Sequence, residues 1–188
     1  MRSSIASCVY RLGAISLALG FSMHAHGEGI DADVQARINA KLKEIAVWAA
    51  SPEIVKAVKA RNLAGPSIYK DMTQAKWKTL SVLDPLVRVL TRNEVALFIK
   101  SKKDPAVSEA FVSCADGTKV GFLTKTTYWN HAGKPKHDQP MKGEIWRGAL
   151  EVDESTGVQQ IQVAVPILDE GKAIGSLVVG LELAKLKD

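Results

Sequence analysis

The stretch 156–183, TGVQQIQVAVPILDEGKAIGSLVVGLEL, constrains the fold more than any other part of the chain. Ile161, Val163, Val165 and Ile167 alternate with Gln160, Gln162, Ala164 and Pro166, the period-2 pattern of a strand with one buried side. Asp169-Glu170-Gly171-Lys172 is turn chemistry, with Gly171 free to take a positive φ. Residues 173–181 are almost wholly apolar and rich in β-branched side chains, which predicts a central strand covered on both faces. Pro166 cannot donate to a ladder, so it marks a bulge or an unpaired position near the strand end. The hairpin is core and carries no chemistry of its own.

The first 27 residues belong to a different layer of information. Arg2 and Arg11 mark a basic start, an uncharged apolar run follows, and Ala25-His26-Gly27 places small residues at the −3 and −1 positions. This predicts a secretory signal, residues 1–27, cleaved after Gly27; an uncleaved anchor is the alternative, although the run is short for a membrane span. The mature chain, 28–188, is then expected in the periplasm or outside the cell. It would carry 23 basic against 20 acidic residues, too mild a balance to argue for nucleic acid. Cys114 would be its single cysteine, a small core residue rather than a reactive thiol or a disulfide partner.

Along the chain the period is helical first. Val34, Ile38, Leu42, Ile45 and Trp48 form an amphipathic stripe. Ser51-Pro52 begins a second helix or a kinked continuation, which Gly65-Pro66 stops. A connector follows, in which Trp77 reads as a structural plug, then short helices after Asp84-Pro85 and from Asn93. The period then changes: 109–114 alternates, Asp116-Gly117 signals a hairpin, and 119–126 returns with Val120, Phe122 and Thr124 on one face. Residues 128–143 have no period, and a loop of that length in a small domain is usually functional. A third strand spans 144–152. The fold class expected is α+β, a long N-terminal helix packed on a five-stranded antiparallel sheet.

The segments SPEIVKAVKARN, Trp77, EAFVSCADGTKVGFLTKTTYW, the DEST turn at 153–156 and VAVPILDEGKAIGSLVVGL, in that order, resemble the single-Cache (PDC-type, PAS-like) extracytoplasmic sensor domains over nearly the whole mature chain. The resemblance implies a PAS-like sheet with the long helix on one face. It also implies a small-molecule pocket on the other face, roofed by the loop between the second and third strands. Such domains feed chemoreceptors, histidine kinases or cyclic-dinucleotide enzymes and continue into a transmembrane helix. This sequence stops at Leu186-Lys187-Asp188, so no output module of its own is expected and transfer of a signal would need a partner.

The candidate ligand-binding set is Phe122, Tyr128, Trp129, Trp146, Arg147 and Asp153. The aromatics concentrate around the long loop, where they either wall a pocket or pack the loop onto the sheet. Arg147 alternates with Trp146, so one of the two points away from the pocket. Asp153 either contacts ligand or caps its turn. Lys125, Lys142 and Arg147 put a small carboxylate somewhat ahead of an amine, for which Asp138 and Asp153 would be the receivers. His131, His137 and Asp138 are too few for a zinc site, and no metal or cofactor is expected. No nucleophile–base set or phosphate loop is present, so an enzyme is not expected. The expected partners are a small organic ligand, a periplasmic or membrane signalling protein, and a second copy through the N-terminal helix. The alternative is an interaction or structural protein of the same fold without a ligand.

Overall fold

One strand, Lys172–Glu182, occupies the middle of a five-stranded antiparallel sheet, which explains why residues 175–181 are buried without a break. A computed structural model of the chain describes residues 30–65, 69–152 and 158–186. The strands are β1 (Val107–Cys114), β2 (Lys119–Phe122), β3 (Trp146–Val152), β4 (Gln159–Asp169) and β5 (Lys172–Glu182), in the order β2-β1-β5-β4-β3. The proposed signal, the 153–157 turn with Asp153, and Lys187 lie outside the described residues. Both central residues of the β4–β5 turn have positive φ, Glu170 at 49° and Gly171 at 81°, as a two-residue hairpin matching the strand twist requires. Pro166 pairs with Ser176 on β5, while β3 reaches along β4 only to the Trp146–Ala164 pair. Its missing N–H therefore falls where β4 has no second neighbour.

Alternation along β4 divides the interior in two. Ile161, Val163, Val165 and Ile167 join Leu177, Val179 and Leu181 of β5 on the face covered by α1 (Ala32–Ala49), α2 (Pro52–Ala64) and α5 (Glu94–Lys102). The buried side of α1 is Ile38, Leu42, Ile45 and Trp48, the expected stripe. The long helical stretch breaks between Ala49 and Pro52, where the Ser51 hydroxyl accepts from the Ile54 N–H and Pro52 opens the second helix.

The other face holds Phe111, Phe122, Ala164 and Val178 against Trp77, Val87, Leu90 and Trp129. Helices α3 (Gln74–Thr79) and α4 (Pro85–Leu90) supply part of that cover. Trp77 is the plug the sequence suggested, with its indole N–H donating to the Thr126 carbonyl at 2.7 Å. The rest of the cover is the 128–143 loop, which contains α6 (Pro135–Asp138) and a 3-10 turn at Pro140–Lys142.

The return strand departs from the expectation. β2 spans four residues, and its register against β1 shifts between Val112 and Ser113. Ser113 pairs with Lys119 and Val112 with Gly121, so Val120 is extra, a β-bulge. Val120 therefore joins the helix-side core while Phe122 joins the opposite one. They do not share a face. Gly121 is required there, because a Cβ would sit 2.8 Å from Asn93 Oδ1 and from Val95 Cγ1.

Candidate functional site

The loop-facing side of the sheet is polar along one band. β1 contributes Glu109, Phe111 and Ser113 by alternation, and β4 contributes Gln160 and Gln162. Between this band and the loop lies a cavity of about 660 Å³. Its floor is Glu109, Phe111, Gln160 and Gln162. Thr126, Thr127, Tyr128, His131 and Lys136 come from the loop side, and Glu151 and Val152 from β3.

Side-chain bonds order this surface. Lys136 Nζ donates to Gln162 Oε1 at 2.6 Å, and the Gln162 amide donates to Glu109. Ser108 Oγ donates to Gln160 Oε1 at 2.9 Å. Burial pushes the Lys136 ammonium down from its ordinary pKa, and Glu109 and Glu151 oppose that shift. Tyr128 is 43 % exposed at the mouth, with Lys134 Nζ 3.8 Å from its ring centroid.

Behind the wall is a basic pair. The bulge in β2 turns Lys119 toward the loop face, where its Nζ stands 2.6 Å from His131 Nδ1 and 3.3 Å from Ser113 Oγ. Phe111 is stacked 4.6 Å from His131, centroid to centroid. Burial first, then the Lys119 charge, pushes the His131 ring down to about 2. Burial and the neighbouring Lys136 hold the Lys119 ammonium well below its ordinary range. A neutral His131 accepting at Nδ1 carries its proton on Nε2.

The loop is pinned rather than draped. His137 Nδ1 meets Ser176 Oγ of β5 at 2.8 Å, and its Nε2 lies 3.4 Å from the Ala115 carbonyl. The His131 N–H donates to the Gly117 carbonyl at 2.9 Å, and Asn130 donates to the Asp116 carbonyl at 2.9 Å. Both histidines are 2 % exposed, so they belong to the packed interior although the loop around them is polar. Among the described residues no group of three or more His, Cys, Asp or Glu side chains could hold a metal.

The sequence candidates separate. Tyr128 lines the cavity. Trp129 is buried, 5.0 Å from both Trp77 and Tyr69. Phe122 is wholly buried and edge-on to Trp77 at 5.9 Å. Both belong to the loop-face core. Trp146 is half-buried and packs against that same core, its ring lying over Gly148. Arg147 points the other way and donates to Asn39 on α1, across the sheet from the cavity. Asp153 lies outside the described residues. Glu109, Lys136, Gln160 and Gln162 were not among the sequence candidates, and His131 was weighed only as a metal ligand. The signal for the glutamines was present, since both stand on the non-apolar side of the β4 pattern.

The structure is therefore an α+β domain with the long N-terminal helices on one sheet face and short helices and a loop-roofed polar cavity on the other, the architecture that the resemblance to single-Cache sensor domains implies. No family model matches the chain, and no curated protein matches it. Among solved structures it is similar to the sensor domain of the Vibrio cholerae histidine kinase DctB, at 17% identity over 81% of this chain and 53% of that one, TM-score 0.45. It is similar to the sensor domain of Escherichia coli DcuS, at 16% identity over 83% of this chain and 96% of that one, TM-score 0.41. A third is the sensory domain of the Campylobacter jejuni chemoreceptor Tlp3 with isoleucine bound, at 15% identity over 85% of this chain and 69% of that one, TM-score 0.39. The chain spans about half the length of the DctB domain, 53%. No described helix is long and apolar enough to cross a membrane.

Proposed function

We propose that the chain is an exported sensor domain of single-Cache type that binds a small organic molecule reversibly between the sheet and the 128–143 loop, and that it is not an enzyme. The cavity carries this reading. It combines an apolar floor at Phe111 and an aromatic mouth at Tyr128 with polar groups aimed inward, the composition of a ligand site. An interaction protein with a filled or purely apolar interior would not need Glu109, Lys136 and Gln162 linked beneath an open mouth. Lys136 keeps a carboxylate ahead of an amine as the ligand group; Glu109 and Glu151 leave room for a molecule carrying both charges. The signal would pass to a periplasmic or membrane partner, or through a second copy along α1.

A thermal-shift screen of carboxylates, amino acids, amines and nucleobases tests the reading. A ligand at one hundred times its dissociation constant stabilises the fold by about 2.7 kcal/mol. The shift should vanish in Tyr128→Ala and Lys136→Ala and persist in Arg147→Ala, whose side chain lies on the far face. Hits that survive both cavity substitutions would move the site elsewhere.

A further inference from the structure

Lys119 lies wholly inside the protein, and among the described residues it has no counter-ion within ion-pair distance. Its side chain has no exposed surface. Among the described residues its Nζ meets Ser113 Oγ, His131 Nδ1 and the face of Phe111, 3.7 Å from the ring centroid, and no carboxylate stands within ion-pair distance. Lysines ordinarily bury the stem and keep the ammonium in water. Desolvating an unpaired charge is unfavourable enough that a buried lysine turns to its neutral amine, the state in which lysine is a nucleophile. Phe111 and His131 are both wall residues of the cavity, so the amine stands directly behind that wall. Lys136, a third wall residue, has its Nζ 6.0 Å from the centroid of the same Phe111 ring. Two nitrogens thus approach the same Phe111 ring, Lys119 wholly buried and Lys136 on the cavity wall.

We infer that Lys119 is a carbonyl-capturing amine: an α-keto acid entering the cavity forms a reversible imine with Lys119 while Lys136 holds its carboxylate. The inference rests on the cavity being a ligand site. The Nζ lone pair adds to the keto carbon, and the carbonyl π pair moves to oxygen. One proton leaves nitrogen for that oxygen, giving the carbinolamine. The second N–H proton joins the hydroxyl, which departs as water as the C=N bond forms, and water re-addition reverses the step. Nothing is oxidised or reduced. Capture links ligand binding to the contact between the loop and β2, because Lys119 must leave His131 to form the imine.

The test is reductive trapping. The full chain is incubated near neutral pH with pyruvate and cyanoborohydride, then read by intact mass and peptide mapping. The expected result is one reduced adduct, on the peptide containing Lys119, ahead of every surface lysine. It should be lost in Lys119→Met, with circular dichroism confirming the fold; Lys119→Gln serves if the methionine variant does not fold. Lys136→Met should slow trapping of pyruvate but not of acetone, which has no carboxylate to hold. An adduct absent from Lys119, or spread evenly over surface lysines, overturns the inference. If carboxylates protect the protein against heat while no imine is trapped, the cavity reading stands and the amine inference falls.

Discussion

His131 makes the domain sensitive to acid. Below the ordinary imidazole pKa of 6.5 an unfolded chain takes up a proton at this residue. The folded chain does not, because burial above all pushes the ring down to about 2. The unfolded state binds more protons throughout that interval, so stability rises with pH across it and is lost as pH falls. His137, lowered by burial, acts with the same sign. Asp104 and Asp116 enter later in acid: burial alone would raise them, but bonds from Lys41, and from Cys114 and Thr118, bring them below 3.8. Across the interval from about pH 7 to about pH 5 these carboxylates contribute little, and the histidines act together with the Lys119 amine, which the unfolded chain also protonates. The urea midpoint should fall across this interval, and fall less in His131→Gln. Parallel curves for the two proteins would show that this ring does not control the loss. Lys119 predicts the opposite kind of effect. Its amine is buried with no anion beside it among the described residues, so Lys119→Met should raise stability by on the order of 1 kcal/mol, with the lost Ser113 and His131 bonds already subtracted. A destabilised methionine variant would mean the amine is better satisfied than these contacts indicate.

At the scale of the element, β4 was legible because its alternation matches its burial, and β5 because an almost wholly apolar run matches a strand buried on both faces. Val163→Asp or Val179→Asp should destabilise by about 3–5 kcal/mol, as an unpaired charge inside a packed face, whereas Lys43→Ala on the exposed side of α1 should stay within about 0.5 kcal/mol. Similar unfolding midpoints for all three would contradict the assignment of faces. β2 was not legible, because a bulge breaks the period that the eye follows. The cause is tertiary: Asn93 Nδ2 donates to the Val120 carbonyl at 2.6 Å while its Oδ1 accepts the Ala96 N–H at 3.0 Å and so caps α5. One side chain thus ties a helix start to the bulge. Asn93→Ala should lose about 2 kcal/mol and Asn93→Ser about half of that, since serine keeps the cap and drops the carbonyl. Equal losses would mean that only one of the two bonds matters. The aromatic candidates failed to separate for a related reason. Composition counts rings near a loop, but whether a ring walls a space or stacks on Trp77, as Trp129 does, depends on the cover supplied by α3 and α4. Gln160 and Gln162 were the better clue, being polar on a strand whose other face is wholly apolar.

For the molecule as a whole, the ties of the 128–143 loop to β5 and to the β1–β2 turn make it part of the folded unit rather than a fringe. Hydrogen exchange should place the slowest amides on β5 and its neighbours, and His137→Ala should speed exchange across the loop before it touches the sheet. Uniform loop exchange in both proteins would argue that the histidine bonds do not hold it. The position of β5 has a further consequence, in time. β1 pairs with β5 from Val107–Leu181 to Cys114–Gly175, a seam between stretches far apart in the chain. High contact order of this kind slows folding to roughly milliseconds to seconds. Synthesis runs from the other end, so β1 and β2 emerge with one edge bare and must wait for the strand that will cover it. During that interval the nascent chain offers Ala110, Val112 and their unpaired backbone to any passing strand, and the growing protein is safest when something keeps it apart from its own copies until residues 172–182 arrive.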